Sequence, residues 1–239
     1  MKRIFTPLLP AFIALSAMPS HAYQLPQGQL NLSLGGAYVN QGQEQLINIR
    51  SSFGNIHTVN QRNNTVFLAG AGYFFDACSW QPIDVAIGAS VYYLSPATVN
   101  GLIYLERTFP NLDYQYKTTN VPLYANAKVA WKGQDDQVSF VVDAGVGPNF
   151  IKTYGYQETS LDGGVTIPNQ AFQGDTQIKF SAMAGIGLRL NQVGNNKSLE
   201  VGYKYFYLNE GKLNPRPQVL NHLKTGNTDA HALTLTLIA

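Results

Sequence analysis

The 239-residue sequence predicts an all-β fold, an eight-stranded antiparallel transmembrane up-and-down β-barrel with short periplasmic turns and four long extracellular loops. Three observations lead to this prediction. Eight segments alternate apolar with small or polar residues, which is the pattern of half-buried strands. The connections between these segments are alternately long and short. Charged residues make up only 13% of the chain, about half of the ~25% share found in an ordinary soluble domain.

The eight alternating segments lie at residues 29–39, 65–75, 83–94, 117–131, 137–150, 175–190, 198–208 and 230–238. In the third segment every second residue from Ile83 to Tyr93 is apolar, whereas Asp84, Gly88 and Ser90 share the opposite face. A tilted strand of about 9 to 11 residues crosses the hydrocarbon of a membrane. Closing the strands into a barrel then satisfies the backbone hydrogen bonds that no water can reach.

The connections give the direction of the barrel. Residues 40–64, 95–116, 151–174 and 209–229 are long connections, and residues 76–82, 132–136 and 191–197 are short ones rich in turn formers. Short turns at one end and long loops at the other are typical of bacterial transmembrane barrels. Both termini fall at the short-turn end, so we assign that end to the periplasm and the long loops to the exterior.

A lipocalin-type barrel or a β-sandwich would show the same alternation, so a further signal is needed. Aromatic residues gather near both ends of the predicted strands, for example Trp80 and Trp131 at the short turns and Tyr38 and Phe150 at the long loops. Two aromatic bands at two levels are what the two interfaces of a membrane select. We therefore favour the membrane barrel.

The first 22 residues have the features of an export signal. Lys2 and Arg3 precede a mostly apolar stretch, and the residues up to Ala22 form a small-x-small cleavage site. We expect cleavage after Ala22, which leaves residues 23–239 as the barrel domain. Without those two basic residues the chain is formally neutral and has no basic run, which argues against nucleic acid as a partner. The single cysteine, Cys78, rules out an intrachain disulfide.

The signal segment, the eight amphipathic strands, the alternating connections and runs such as residues 199–205 resemble the small eight-stranded outer-membrane barrels of Gram-negative bacteria. This group includes the OmpA transmembrane domain, OmpX and the opacity proteins. The resemblance covers residues 23–239 and implies a monomer in the cell outer membrane, in contact with outer-membrane lipid and lipopolysaccharide. It also implies that the extracellular loops act in adhesion, by binding a host or matrix protein.

The face opposite the aliphatic stripes carries charges of both signs, which we expect to point into the barrel. These residues are Asp84, Lys128, Asp143, Lys179, Arg189, Glu200 and Lys204. A regular hairpin at residues 191–197 would place Arg189 opposite Glu200, and Lys128 would come within diagonal reach of Asp143. Because unpaired charges are costly in a narrow interior, we predict an ion-pair network that fills the barrel. The alternative is a small pore for hydrophobic or small polar solutes.

The residues with catalytic potential do not favour an enzyme, a cofactor or a metal site. Only His57, His222 and His231 remain after the signal, and no two His or Cys residues have ligand spacing. Asp229 and His231 could share a face, but no serine nucleophile stands beside them. We predict a non-enzymatic protein, with a lipid A-modifying enzyme as the less favoured alternative.

The long loops therefore hold the functional hypothesis. Apolar side chains exposed on loops usually mark contact sites, and the candidates are Phe53, Phe109, Tyr156 and Phe172. Alternatively, parts of these loops such as residues 101–107 extend the barrel as hairpins above the membrane. The loop sequences do not identify the ligand.

Overall fold

The computed structural model describes residues 28–50, 54–106, 108–133, 136–193 and 197–239. Its eight barrel strands are β1 (Gly28–Asn40), β4 (Asn63–Trp80), β5 (Ile83–Leu105), β6 (Phe109–Lys132), β7 (Val138–Ser160), β9 (Asp175–Leu190), β10 (Ser198–Pro215) and β11 (Leu223–Ile238). Three short strands are added to them: β2 (Gln45–Ile47), β3 (Asn55–His57) and β8 (Phe172–Gln173). The predicted export signal, residues 1–22, lies outside the described residues.

The barrel strands pair antiparallel with their chain neighbours, and the last strand, β11, pairs with β1 to close the ring. This confirms the predicted eight-stranded barrel. Burial alternates along the strands with a period of two, as strand geometry requires. Ile87, Val142 and Leu235 are 43–52% exposed on the outside, and Ser90 and Thr236 are buried inside. Within the described residues no helix has the length and apolar character needed to span a membrane.

The interior is filled in layers from the periplasmic to the extracellular end. Along β10 the inward side chains include Glu200, Lys204, Phe206 and Leu208, all of which are buried. The charged layer is thus followed by an apolar cluster, formed by Ala37, Val39, Val66, Leu68, Tyr92, Leu94, Ala97, Tyr124, Met183, Phe206, Leu208, Ala230 and Ala232.

Three of the strands continue well beyond the membrane. Strands β5, β6 and β7 have 23, 24 and 23 residues, more than twice the roughly 9 to 11 needed to cross the hydrocarbon. Much of the predicted loop region 95–116 is therefore strand, and the alternative of a hairpin above the membrane is correct here. A register shift between Leu94 and Ala97 changes which residues face inward, so that Val99 and Ile103 are buried.

The extended strands and the short strands enclose a second apolar cluster beyond the membrane, which we call the upper core. The β2–β3 hairpin pairs with β5 through Ile56 and His57. A bridge between Ile49 and Val219 joins the first extracellular connection to the fourth. The upper core consists of Ile47, Val99, Ile103, Leu112, Tyr114, Tyr116, Tyr156, Phe172, Leu213, Val219 and Leu223.

Candidate functional site

The charged side chains inside the barrel form two buried groups. Glu200 pairs with Lys128 at 3.2 Å and with Arg189 at 3.1 Å, and Lys204 pairs with Asp143. These side chains are no more than 12% exposed. Lys128 lies opposite Asp143 in the strand register but bonds Glu200 instead, across the barrel. The Lys128–Glu200 and Lys204–Asp143 pairs therefore tie together strands that are not neighbours in the sheet, whereas Arg189 and Glu200 face each other on the neighbouring strands β9 and β10.

A glycine makes room for one of these groups. Gly185 is the register neighbour of both Asp143 and Lys204. A Cβ atom at Gly185 would collide with the Asp143 carboxylate. The small residues that the sequence places on the inward face thus leave space for the ion pairs, as expected for a narrow barrel.

Two of the seven predicted interior charges lie elsewhere. Asp84 is at the periplasmic rim, where it pairs with Lys132 at 2.8 Å and both side chains are 33% exposed. Lys179 is exposed, so the prediction that it joins the interior network is wrong. Lys179 lies on the extracellular side of Ala182 and Tyr207, the last residue pair that joins β9 to β10. There its ammonium group remains hydrated, whereas burial in the barrel would remove that water at a cost in free energy.

A layer of bulky side chains closes the barrel above the ion pairs. The rings of Tyr92, Tyr124 and Phe206 have centroids 5.2–6.2 Å apart, and all three side chains are at most 5% exposed. A cavity of about 270 Å³ opens at the periplasmic end and reaches Lys128 and Arg189, below this layer. This packing favours a filled barrel over a small pore.

His231 lies on the outer face of the barrel between Asp229 and Tyr203. His231 Nε2 lies 3.4 Å from Asp229 Oδ2, and His231 Nδ1 lies 2.5 Å from the Tyr203 hydroxyl oxygen. The imidazole thus contacts a phenol, which is a weak nucleophile unless it is activated. The Tyr205 ring packs against the same imidazole at a tilt of 54°, with ring centroids 5.2 Å apart, so the group forms part of the outer aromatic band.

Acidic, histidine and cysteine side chains do not form a metal site in the described part of the chain. No three or more of them lie close enough together there to hold a metal ion.

The predicted loop contact residues divide between the surface and the interior. Phe109 is 69% exposed, whereas Tyr156 and Phe172 are 8% and 2% exposed. The prediction that Tyr156 and Phe172 form a contact surface is wrong, because their rings pack edge to face at 5.2 Å within the upper core. Phe53 lies outside the described residues.

Other apolar side chains occupy the exposed extracellular end. Leu161, Val165, Ile167 and Leu220 are 50%, 84%, 77% and 57% exposed. We call these four residues and Phe109 the distal apolar surface. The sequence signal for this surface is weak, because its apolar residues stand in turn-rich connections without any periodicity.

Glu158 fixes the connection that carries most of the distal apolar surface. Its carboxylate accepts hydrogen bonds from the backbone N–H groups of Asn169, Gln170 and Ala171 at 2.9–3.0 Å. It also accepts one from the Tyr156 hydroxyl at 2.7 Å. Hydrogen bonds to an ionised group are stronger than neutral ones, so residues 169–171 are held firmly against β7.

Asp162 organises the turn that precedes this segment. Its carboxylate accepts hydrogen bonds from the Ser160 hydroxyl at 2.6 Å and from the backbone N–H of Thr166 at 2.9 Å. These hydrogen bonds, of which the one from Ser160 contributes most, hold the pKa of Asp162 well below its usual range. Leu161 in the same turn donates its N–H to the Asn111 carbonyl at 2.9 Å, which joins the turn to β6.

His57 lies deep inside the extracellular part. It is 2% exposed, and its ring centroid lies 5.2 Å from that of Tyr114 and 5.8 Å from that of Phe172. Neither ring nitrogen has a hydrogen-bond partner among the described residues. Burial lowers the pKa of His57 to about 4. The backbone of Asn55 lies near the ring and raises this pKa slightly, but it is not placed to form a hydrogen bond with either nitrogen. The imidazole is therefore neutral at neutral pH.

Two neighbouring cavities lie in the extracellular part, and the inner one is lined by His57. The inner cavity, of about 60 Å³, is lined by His57 and by apolar side chains that include Ile103 and Leu112. The outer cleft, of about 540 Å³, is lined by residues that include Phe109 of the distal apolar surface. The inner cavity and the outer cleft share Ile49, Asn55, Leu105 and Asn169 as lining residues.

Comparison with solved structures finds the same fold at low sequence identity. OprG from Pseudomonas aeruginosa is 11% identical with a TM-score of 0.52, and the match covers 90% of this chain and 97% of that one. The outer membrane protease OmpT from Escherichia coli is 8% identical with a TM-score of 0.50, covering 88% of this chain and 95% of that one. At such identities the likeness shows the fold alone. Comparison with curated proteins finds no match.

The sequence also matches a family model over nearly its whole length. The model is described as an outer membrane protein beta-barrel domain, and it matches residues 8–237. The closed ring of eight strands with an apolar outer face agrees with that description. The chain therefore belongs to the outer membrane protein β-barrel family and is a protein of the outer membrane.

Proposed function

We propose that this chain is a non-enzymatic, monomeric outer-membrane barrel that binds a host or matrix protein through its extracellular end. The membrane-spanning strands serve as a closed anchor, and the extended strands carry the binding surface away from the membrane. The observation that carries this proposal is the distal apolar surface, whose five side chains are 50–84% exposed. Exposed clusters of apolar side chains usually mark contact sites.

The frame beneath this surface supports the proposal. Glu158 and Asp162 hold the connection between β7 and β8 in one conformation through hydrogen bonds to backbone N–H groups. A segment that is already ordered loses less conformational entropy when a partner binds. The distal apolar surface is therefore better suited to binding than a flexible loop of the same composition.

The barrel interior supports an anchor rather than a pore. The buried ion pairs and the aromatic layer of Tyr92, Tyr124 and Phe206 fill the space through which a solute would pass. On the outer face, His231 hydrogen bonds to the phenol of Tyr203, whereas a hydrolase would need an activated nucleophile at that place. Both features favour binding over transport and catalysis.

The outer wall suits contact with membrane lipid and lipopolysaccharide. Aliphatic side chains face the hydrocarbon, and Phe150 marks the upper limit of this band on β7. The next outward residue on β7 is Lys152. Lys117 is exposed on the neighbouring strand β6, opposite Tyr154, and is thus two residues farther from the membrane than Lys152. Two ammonium groups at this level would meet the phosphates of lipopolysaccharide.

The proposal is tested by attachment of cells that carry the protein to immobilised fibronectin, laminin and epithelial cells. The triple variant Phe109→Ser, Val165→Ser, Ile167→Ser should reduce attachment to at least one of them about tenfold, since each side chain loses its apolar contact area. The control is the double variant Gln115→Ser, Gln157→Ser, which changes only the exposed outer wall. Equal attachment by the triple variant and the wild type on all three surfaces would refute the proposal.

A further inference from the structure

We infer that the cavity at the periplasmic end of the barrel is a binding site for a small oxyanion, a carboxylate or a phosphate, which hydrogen bonds to Arg189. The inference goes beyond the proposed function, because this cavity lies at the opposite end of the barrel from the distal apolar surface. It requires no partner at the extracellular end.

The buried charges around Glu200 do not balance. Its single carboxylate pairs with two cations, Lys128 at 3.2 Å and Arg189 at 3.1 Å, whereas Lys204 and Asp143 pair one to one. The side chains of Lys128, Arg189 and Glu200 are only 5%, 12% and 4% exposed. One positive charge is therefore in excess where little water can screen it, and such a charge is costly. An anion bound here would complete the group.

Arg189 has hydrogen-bond donors to spare. A guanidinium group carries five N–H groups, and the bonds to Glu200 use only the Nε and Nη2 atoms, both with Oε2 as the acceptor. In the described part of the structure, the Nη1 atom is neither hydrogen bonded nor buried. Because the Arg189 side chain lines the cavity, its free N–H groups can bond to an occupant.

The cavity gives an anion access to Arg189 from the periplasm. It measures about 270 Å³, and Lys128 and Ser79 also line it. This volume is several times the ~30 Å³ that one water molecule takes up in the liquid. A phosphate ion or a small carboxylate therefore fits together with some water.

Two carboxylates at the mouth of the cavity do not supply the missing negative charge. Asp84 already pairs with Lys132 at 2.8 Å, and both side chains are one-third exposed. Asp76 is exposed and accepts a hydrogen bond from Gln29 at 3.3 Å. Charges in contact with water are largely screened, so the excess positive charge at the inner end remains.

The guanidinium group selects the type of anion. Its planar fork of N–H groups matches two oxygen atoms of a carboxylate or a phosphate, whereas chloride offers a single atom. The bonds to Glu200 hold Arg189 in place, so the free N–H groups are already oriented. A preorganised donor loses little entropy on binding. We therefore expect oxyanions to bind more tightly than chloride.

The test is a titration of the full chain in lipid nanodiscs, with arginine labelled with ¹⁵N and the Nε–H signals followed by NMR. Inorganic phosphate, or acetate in a second series, replaces chloride at constant ionic strength, so that screening does not change. The Arg189 signal, identified by its loss in Arg189→Gln, should shift saturably in both series. The signals of Arg50 and Arg62, in the first extracellular connection, should not saturate.

The variant Lys128→Met separates the excess charge from the guanidinium group itself. It leaves Arg189 and Glu200 as a balanced pair, so phosphate should bind about tenfold more weakly, the value of one charge-assisted interaction. The matched control is Lys179→Gln, which also removes one positive charge but at an exposed position on the extracellular side. Its affinity for phosphate should stay within about twofold of wild type, because that charge is screened.

Two results would overturn the inference. One is an Arg189 signal that does not shift saturably with phosphate, and the other is equal affinity in Lys128→Met and wild type. If Lys128→Met does not fold, as judged by the heat-dependent gel mobility shift, the Arg189 signal of the wild-type protein decides alone. Cell attachment is a separate readout, so the two proposals fail independently.

Discussion

The barrel interior and the upper core differ in the polarity of the side chains that they bury. In the membrane, aliphatic side chains point outward to lipid, and the interior holds ion pairs such as Lys128–Glu200 below an apolar cluster. Beyond the membrane, apolar side chains such as Ile103 and Leu213 point inward, as in a protein surrounded by water. The same sheet thus changes its polarity where the surrounding solvent changes from lipid to water.

Strand β7 shows this change within one element. Its outward residues Val142, Val146 and Phe150 are apolar and 41–53% exposed, but the next outward residue, Lys152, is charged. Its inward residues change from charged to aromatic, from Asp143 in the membrane to Tyr156 in the upper core. The comparison shows that the membrane boundary can be located from side-chain polarity on a continuous strand.

The largest effect is expected from breaking an interior ion pair. Glu200→Ala leaves Lys128 and Arg189 buried without a carboxylate, so the free energy of unfolding should fall by about 3 to 5 kcal/mol. The measurement is urea unfolding in detergent, followed by the fluorescence of Trp80 and Trp131.

The matched control for that variant is Asp84→Ala, which removes the carboxylate of the one-third exposed pair at the periplasmic rim. Its effect should stay below about 1 kcal/mol. Equal losses for Glu200→Ala and Asp84→Ala would show that the interior pairs are not desolvated as described.

The upper core should respond to loss of apolar volume as a soluble protein does. Leu213 is fully buried, so Leu213→Ala should destabilise the extracellular part by about 3 kcal/mol. Leu220→Ala, at a position that is 57% exposed, should cost less than about 0.5 kcal/mol. Limited proteolysis of the extracellular part in nanodiscs measures both, and similar cleavage rates in the two variants would argue against a packed upper core.

The extracellular part should lose stability in mild acid. Burial holds the pKa of folded His57 at about 4, below its ordinary 6.5. The unfolded state therefore binds more protons between these values, and stability falls as the pH drops through this window, by up to about 3 kcal/mol. Hydrogen exchange at pH 7 and pH 4.5 should show the loss in wild type and a smaller one in His57→Phe. The same pH dependence in both proteins would assign it to other groups.

A smaller effect is expected from Glu158, which orders one connection without filling the core. Glu158→Gln weakens the bonds from the N–H groups of residues 169–171, at a cost of about 2 kcal/mol. These amides should exchange faster, while those of β6 remain unchanged. Asp162→Asn is the control, and it should affect the turn at residues 160–166 more than residues 169–171.

The barrel could be predicted from the sequence because one physical rule, alternation with a period of two, operates on all eight strands. The same rule places Arg189 opposite Glu200, as the structure also does. It does not reveal the change of inward face at Leu94–Ala97, because a bulge leaves no clear sequence pattern. Tyr156 and Phe172 also lie in stretches that the sequence predicts as loop, and the extension of β7 and the pairing of β8 with β10 place them in the upper core.

The candidate site was less predictable than the fold. His57 stands in an apparent loop, and only the pairing of β3 with β5 brings it beside the upper core. Lys179 has the sequence position of an inward residue, but the pairing of β9 with β10 ends before it. Both outcomes depend on contacts between segments that are distant in the chain, which a local pattern does not contain.

The most direct test of the central claim is hydrogen exchange of the protein in lipid nanodiscs, resolved along β5 and β6. The account predicts that the amides of residues 97–104 and 112–118, beyond the membrane, exchange slowly, as those of residues 85–91 within it do. Exchange of the outer residues within seconds, as in an irregular loop, would contradict a packed extracellular part and remove the frame on which the proposed binding surface rests.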